Sequence, residues 1–270
     1  MTRDESPRVA LVTGAARGIG AATVDVLCAR GYRVVAVDSC ASDGPDRPAG
    51  VDYPLATRED LERVGLEHPG AVLIQVADVR DREAMAAAAR LALETFGRLD
   101  AVVAAAAVIA GGARLWETSE EQLQSLWDVD VRGVWNTAAA CVPQMLTSSD
   151  PGGGRFVAVA SAAGTRGLLH LAGYGAAKHA VVGLVRGLAA DLVGTGVTAV
   201  AVAPGSTRTD MLQATAHLYG LDGVEQFATA QLLHRLMDPV EIAATIAFCC
   251  SVDGAALNGS VVSADGGFGG

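Results

Sequence analysis

The chain has 270 residues, enough to bury a large core, and 51% of them are hydrophobic although only 4% are aromatic. Acidic residues outnumber basic ones by 30 to 20, and this surplus argues against binding to nucleic acid or to an anionic membrane surface. No apolar run approaches the roughly 18 residues of a membrane-spanning helix, and the polar N-terminus lacks the apolar core of a signal peptide. The five cysteines form no C-x-x-C pair, and no histidines stand at ligand spacing. We therefore expect a reduced, metal-free cytoplasmic protein.

The first predicted element is a buried strand at residues 8–12. It leads directly into TGAARGIG at residues 13–20 and then into a helical pattern at residues 21–30. Glycines in such a loop allow a tight turn and a close approach to a pyrophosphate, which the helix N-terminus also attracts. A glycine triplet alone is weak evidence, but its position between a strand and a helix predicts a dinucleotide site. The loop residues expected at this site are Gly14, Arg17, Gly18, Ile19 and Gly20.

A second strand is predicted at residues 33–37, and Asp38 closes it. A carboxylate at this position accepts hydrogen bonds from the adenosine ribose and repels a 2′-phosphate, so it favours NAD over NADP. Arg17 is a mild contrary signal, because a basic side chain in the glycine loop attracts phosphate. Asp38 outweighs it by its proximity to the ribose and by the sign of its charge.

Residues 39–70 are less regular. Residues 39–54 are rich in Gly, Pro and Asp and predict a loop, and residues 58–67 are compatible with a helix. The segment lies beside the adenosine half of the expected site. Two interpretations stay open from the sequence: a flap over the cofactor, or a plain surface excursion.

Strands and helices then alternate. They are predicted at residues 71–77 (strand), 82–96 (helix), 99–107 (strand) and 119–146 (helix). Asp78 and Val79 follow the third strand, where we expect them to meet the edge of an adenine ring.

A strand at residues 156–160 ends at Ser161, so this hydroxyl should point into the crevice where open α/β sheets bind ligands. Tyr174 and Lys178 begin a helix predicted at residues 174–193, and their spacing of four places them on one face. An ammonium beside a phenol favours the phenolate, so we expect Lys178 to lower the pKa of Tyr174. Each of the three residues alone would be an ordinary surface residue.

The remaining chain is predicted as a strand at residues 197–203, a helix at residues 239–250 and a strand at residues 260–264. Between them, residues 206–235 mix apolar and polar side chains after a strand end that faces the crevice, which favours a substrate lid. The alternation predicts one α/β domain over residues 1–270, a doubly wound parallel sheet (Rossmann fold) with helices on both faces.

The chain resembles the short-chain dehydrogenase/reductase family over nearly its whole length. The resemblance rests on TGAARGIG, Asp38, Asp78, Ser161, YGAAK and Pro204-Gly205. The resemblance implies that Tyr174 is the general acid/base, that Ser161 binds the substrate oxygen, and that Lys178 holds the nicotinamide ribose while lowering the pKa of Tyr174. It also implies that Thr209 steadies the nicotinamide carboxamide and the phosphates. The further residues of PGSTRT assigned to the cofactor site are Pro204, Gly205 and Thr207.

Two departures from the family pattern stand out. Residues 104–107 are alanines where the family has Asn-Asn-Ala-Gly, so we expect looser support of the adenine pocket, with Ala105 still beside the cofactor. Asp130 stands where the family has a helix asparagine that completes a proton relay. It either preserves that relay, which uses a backbone carbonyl, or forms an ion pair with Lys178.

The resemblance implies an enzyme that interconverts an alcohol and a ketone or aldehyde with NAD. The apolar lid suggests a small lipophilic substrate, with Trp116, Leu168 and Leu169 as pocket walls. Three features resemble dehydrogenases associated with mycofactocin: the excursion after Asp38, the motif VIAGG and the motif LYGLDGVEQF. The resemblance implies an enzyme that holds NAD tightly and passes electrons to that peptide-derived cofactor. The alternative is a dinucleotide-binding regulator or scaffold that has lost catalysis.

The tyrosine-bearing helix predicts association. It continues with several apolar residues, more apolar surface than one face of a sheet requires: Val181, Val182, Leu184, Val185 and Leu188. The family resemblance implies a homo-oligomer, a tetramer or a dimer, built on such helices.

Overall fold

The computed structural model describes residues 6–269 apart from Asp43, Pro45 and Ser149. In this part of the chain, parallel strands form one seven-stranded sheet in the order β3-β2-β1-β4-β5-β6-β7. The strands are β1 (Val9–Thr13), β2 (Arg33–Asp38), β3 (Val72–Val76), β4 (Ala101–Ala104), β5 (Arg155–Val159), β6 (Thr198–Pro204) and β7 (Val261–Ala264).

Helices connect successive strands. The α-helices are α1 (Gly18–Ala29), α2 (Arg58–Glu67), α3 (Arg82–Phe96), α4 (Glu120–Leu126), α5 (Gly133–Leu146), α6 (Ala172–Asp191), α7 (Asp210–Leu218) and α8 (Pro239–Cys249). The sheet and its helices confirm the predicted doubly wound α/β fold. None of the helices in the described residues combines the length and the apolar character that crossing a bilayer demands.

The core lies in two layers, one on each face of the sheet. Strand side chains alternate between faces, so Val9 and Leu11 of β1 point into one layer whereas Ala10 and Val12 point into the other. Helices α3, α5 and α6 cover the first face, and α1, α2 and α8 cover the second. Both faces of the sheet are therefore buried, which is why its strands read as continuous apolar runs.

Two predicted elements differ from those observed. The fourth strand was expected over residues 99–107, but β4 ends at Ala104, and Ala105–Ala107 belong to a loop. The helix expected over residues 119–146 is interrupted at Trp127–Arg132, where the backbone forms a π-helical segment between α4 and α5. Such segments are rare and are frequent at functional sites. Asp130 lies in this one.

The expectation of a spare apolar face on α6 is wrong for three of its residues. Val181, Val182 and Val185 are buried in the first core layer, because α6 packs directly on the sheet. Leu184 and Leu188 are only partly buried. Large exposed apolar side chains occur instead along the stretch from α4 to α5, at Leu123, Trp127, Trp135 and Leu146.

Strand β1 is the point at which the order of the strands reverses, since β2 lies on one side of it and β4 on the other. The loops that leave β1 and β4 therefore turn away from each other and open a crevice at the carboxyl edge of the sheet.

Candidate active site

A cleft of about 340 Å³ opens at this edge. It contains every residue that the sequence assigned to the cofactor or the chemistry, with the exception of Asp130, which is fully buried behind it. The cleft residues are Gly14, Arg17, Gly18, Ile19, Gly20, Asp38, Asp78, Val79, Ala105, Ser161, Tyr174, Lys178, Pro204, Gly205, Thr207 and Thr209. The fold thus brings together residues from the ends of six strands or the loops that follow them, and from helix α6.

The glycine loop leaves no room for side chains at two positions. A Cβ on Gly20 would lie 1.9 Å from the carbonyl oxygen of Gly14, and a Cβ on Gly14 would lie 2.8 Å from the backbone of Ala106. Gly14 also has a φ of +66°, which disfavours other residues. The N-terminus of α1 behind the loop has no capping side chain and no acidic residue in its first turn. Its free N–H groups and positive dipole end fit the pyrophosphate of a dinucleotide.

Asp38 is oriented by the backbone at the end of β2. Its Oδ2 accepts a hydrogen bond from the Ala16 N–H at 3.2 Å, and its Oδ1 accepts one from the Cys40 N–H at 3.0 Å. Burial raises the pKa of the carboxyl, and these N–H groups oppose the rise. A carboxylate offers about four acceptor positions, so two remain for ribose hydroxyls. This donor set fits the adenosine half of NAD.

Asp78 is less available to an adenine than the sequence suggested. Its Oδ2 lies 2.6 Å from Nη2 of Arg80, which also donates to the Asp46 carbonyl. Both Asp78 and Arg80 line the cleft. An adenine ring there would meet a paired carboxylate and the guanidinium that the sequence reasoning missed.

Ser161, Tyr174 and Lys178 converge at the centre of the cleft. Ser161 follows β5, and its Oγ accepts a hydrogen bond from the Ala163 N–H at 3.1 Å. Tyr174 and Lys178 lie one turn apart on α6, with the Lys178 Nζ 5.6 Å from the centre of the tyrosine ring. A hydrogen bond from Ser161 favours the phenolate of Tyr174. The expected juxtaposition of hydroxyl, phenol and ammonium is therefore present.

Asp130 reaches this group from behind. Its Oδ2 lies 3.2 Å from Lys178 Nζ, and its Oδ1 accepts a hydrogen bond from the Val108 N–H at 2.8 Å. The side chains are almost fully buried, at 0% exposed for Asp130 and 2% for Lys178. The Lys178 ammonium also donates to the Val159 carbonyl at 3.3 Å. Of the two alternatives left open by the sequence, the structure therefore contains the ion pair.

The pKa of Tyr174 moves in the direction opposite to the one expected. Burial raises it most, and although Lys178 and the hydrogen bond from Ser161 lower it, Asp130 raises it further. The net shift is upward from the ordinary value for a phenol. Lys178 does lower the pKa of Tyr174, as expected. The net shift is nevertheless upward, because burial and the Asp130 carboxylate raise this pKa by more than Lys178 lowers it.

The alanine run after β4 is held without asparagines. Thr13 Oγ1 accepts hydrogen bonds from the Ala105 and Ala106 N–H groups at 3.1 and 3.2 Å. Further along the chain, Asp130 Oδ1 accepts a hydrogen bond from the Val108 N–H. The phenol oxygen of Tyr53 accepts one from the Ile109 N–H at 3.3 Å. The expected loosening is therefore not seen, because other side chains satisfy this backbone.

The excursion after Asp38 forms an ordered wall of the cleft. The Arg47 guanidinium donates to the carbonyls of Ser42, Val51 and Tyr53, and Ser125 Oγ of α4 donates to the Ala49 carbonyl at 2.7 Å. Tyr53 lines the cleft and was not singled out from the sequence. The only available signal was an aromatic residue in a stretch otherwise rich in Gly, Pro and Asp.

The segment after β6 forms another wall of the cleft. Thr209 caps α7, and Tyr219 at the end of α7 donates a hydrogen bond to the Leu169 carbonyl and packs against Phe227, with ring centres 6.0 Å apart. Leu168 and Leu169 line the cleft as expected. The assignment of Trp116 to the pocket wall is wrong, because Trp116 is not among the residues that line the cleft; its side chain is 75% exposed, with the Arg114 guanidinium over its ring.

The C-terminal tail supplies a residue that sequence reasoning missed. Phe268 lines the cleft, and the tail is held against the preceding segment by hydrogen bonds from the Leu232 N–H to the Gly267 carbonyl and from the Gly269 N–H to the Ala230 carbonyl. A single aromatic residue between glycines was the available signal.

The chain is similar to known dehydrogenases over almost its whole length. A family model described as enoyl-(acyl carrier protein) reductase matches residues 14–269. An uncharacterised NAD-dependent oxidoreductase of Mycobacterium tuberculosis is 35% identical, with 96% of this chain and 95% of the relative covered. The (−)-trans-carveol dehydrogenase of Rhodococcus erythropolis is 31% identical, with 96% of each covered.

Solved structures agree with these sequence matches. Carveol dehydrogenase from Mycobacterium avium in complex with NAD has a TM-score of 0.88 and 29% identity, covering 97% of this chain and 98% of that one. The fold, the cleft and these relatives define an NAD-dependent oxidoreductase. The chain belongs to the short-chain dehydrogenase/reductase family, as its motifs predict.

Proposed function

We propose that the enzyme interconverts a small apolar alcohol and its ketone or aldehyde, with Tyr174 as the general acid/base. The observation that carries this proposal is the convergence of Ser161, Tyr174 and Lys178 in one cleft beside the glycine loop. The names of two relatives, both carveol dehydrogenases, support an alcohol as the substrate. The alternative of a non-catalytic regulator is not favoured, since none of the three side chains is missing or displaced.

The residues of the site divide the work between them. NAD, when bound, supplies the hydride acceptor or donor. In the direction of oxidation, Ser161 orients the substrate hydroxyl and the Tyr174 oxygen takes up its proton; in reduction Tyr174 returns a proton to the carbonyl oxygen. Lys178 opposes the effect of burial on Tyr174. Tyr174 and Lys178 are both buried, which limits the contact of these groups with water.

The substrate side of the cleft is apolar. Its walls include Ile109, Leu168, Leu171, Met211, Phe227 and Phe268. Basic side chains near it are engaged elsewhere: Arg208 pairs with Glu225 at 2.7 Å, and Arg166 donates to the Phe268 carbonyl. An anionic substrate would therefore lose its hydration without gaining a partner.

The activity is tested by supplying NAD and a panel of apolar alcohols to the purified protein, with and without an artificial electron acceptor. We expect oxidation of secondary or primary apolar alcohols, and poor turnover of the same alcohols carrying a carboxylate. If no alcohol in the panel reduces either NAD or the acceptor, the result would contradict the proposed enzyme and favour the non-catalytic regulator.

We propose further that NAD stays bound between turnovers and passes its electrons to mycofactocin. The contacts of Arg17 support retention, because this guanidinium donates to Asp210 Oδ2 of α7 at 3.0 Å and to the Pro54 carbonyl of the excursion. One side chain of the glycine loop thus ties together the two segments that cover the cleft. A dinucleotide could leave only after these segments separate.

Retention predicts that NAD co-purifies with the protein and that Asp210→Asn speeds its loss. The Arg17–Asp210 pair is partly exposed, so we expect the loss on dialysis to accelerate by no more than about fivefold, as for a contact of roughly 0.2–1 kcal/mol. Glu62→Gln removes a comparable exposed partner, that of Arg58 on α2, and serves as the control. Protein that is isolated free of NAD and exchanges it rapidly would contradict retention.

We also propose a homo-oligomer. The exposed apolar side chains along α4 and α5 support an association surface on the same face of the sheet as α6. Sizing chromatography should give a mass at least twice that of the chain; a monomeric elution volume would count against association.

A further inference from the structure

The most unusual feature of the site is a buried carboxylate behind the catalytic lysine. Asp130 lies on the π-helical segment, contacts no cleft surface, and directs Oδ2 at the Lys178 ammonium 3.2 Å away. That oxygen has no other hydrogen-bond partner in the described part of the chain. An asparagine would fill the same space and would accept the same hydrogen bond from Val108. The negative charge is therefore what the carboxylate adds.

The charge acts on Tyr174 through Lys178. A lone ammonium beside a phenol stabilises the phenolate, whereas an ammonium already paired with a carboxylate has little net charge to offer. The groups that face Tyr174 are Lys178 on its own helix, Asp130 on the π-helical segment, Ser161 after β5 and Tyr53 of the excursion. Of these, Lys178 is the only cation, and Asp130 lies against it.

We propose that Asp130 is a positioning residue that neutralises Lys178 and so keeps Tyr174 protonated, as a proton donor, at neutral pH. This inference rests on the proposed role of Tyr174. The site would then be set for protonating a carbonyl oxygen at neutral pH, and alcohol oxidation would require more alkaline conditions. The effects of Asp130 on its neighbours agree, since it raises the pKa of both Tyr174 and Lys178; burial raises the pKa of Asp130 itself, and the Lys178 ammonium opposes that rise.

Asp130→Asn tests the inference by two measurements on the purified protein. The first is the ultraviolet titration of phenolate, from which the Tyr174→Phe spectrum is subtracted so that the other three tyrosines cancel. The second is the pH dependence of turnover in both directions on an alcohol found active in the panel. We expect the Tyr174 titration and the rise of alcohol oxidation to move to lower pH together, by about one to three units.

Asp128→Asn is the matched control. It removes the same charge from the same π-helical segment, but its side chain pairs with Arg132 at 3.2 Å and is not among the charges that act on Tyr174 or Lys178, so neither measurement should change. Leaving a buried ammonium unpaired destabilises a fold. If Asp130→Asn fails to fold, Asp130→Ser offers a smaller neutral side chain with space for water beside Lys178.

The outcomes separate the inference from the proposed function. An unchanged titration in a folded Asp130 variant would mean that Asp130 carries no charge and would overturn the inference. A titration moved to higher pH would also overturn it, because Asp130 would then serve to keep Lys178 protonated. If Tyr174→Phe retains turnover, the proposed function fails instead, whatever the Asp130 variants show.

Discussion

Tyr174→Phe should reduce turnover in both directions by about 10²–10⁴-fold, the usual contribution of a positioned general acid/base. The substitution removes one oxygen and leaves the ring in place. The Lys178–Asp130 pair does not depend on that oxygen, since its own partners are each other and the Val159 and Val108 backbone groups. The affinity for NAD should therefore stay within a few-fold of the wild-type value.

The measurement is steady-state turnover together with direct titration of NAD binding. Tyr219→Phe is the matched control, because Tyr219 also lines the cleft, but its hydroxyl donates a hydrogen bond to the Leu169 carbonyl and its ring packs against Phe227, which the substitution preserves. Loss of that hydrogen bond should cost less than about tenfold in turnover. Equal losses in the two variants would remove the special role assigned to Tyr174.

Gly20→Ala should weaken NAD binding. The new Cβ would lie 1.9 Å from the Gly14 carbonyl oxygen, a distance that no rotamer change relieves because a Cβ is fixed to the backbone. Either α1 or the turn at Gly14 must move, and that turn packs against Ala106. We expect a cost of about 1–3 kcal/mol or more, shared between folding and cofactor binding.

Urea unfolding and calorimetric titration with NAD measure the two parts of this cost. Gly223→Ala is the control for a glycine outside the loop: its φ of −175° suits any residue, and an added Cβ would meet no atom within 4 Å. It should change neither quantity by more than about 0.5 kcal/mol. Normal NAD affinity in Gly20→Ala would mean that the glycine loop does not hold the pyrophosphate.

The sequence by itself determined the order of the elements and predicted many of the residues that line the cleft. Apolar runs of strand length alternate with helical patterns, and these local signals do not depend on what the segments later contact. Local patterns were enough to locate the glycine loop, Asp38, Ser161 and the Tyr174–Lys178 pair. Each of these lies within one element or directly after it. The carboxyl ends of parallel strands meet at one edge, so such residues were bound to meet in one cleft.

Tertiary structure decided everything that depends on neighbours distant in the chain. Tyr53 and Phe268 enter the cleft from segments without regular periodicity, and Trp116 is left outside it. The contact between Asp130 and Lys178 joins residues 48 positions apart. The direction of the Tyr174 pKa shift therefore could not be predicted from the sequence. The four-residue spacing indicated only the charge of Lys178, which lowers this pKa. Burial and the charge of Asp130, which raise it, depend on the packing of the site.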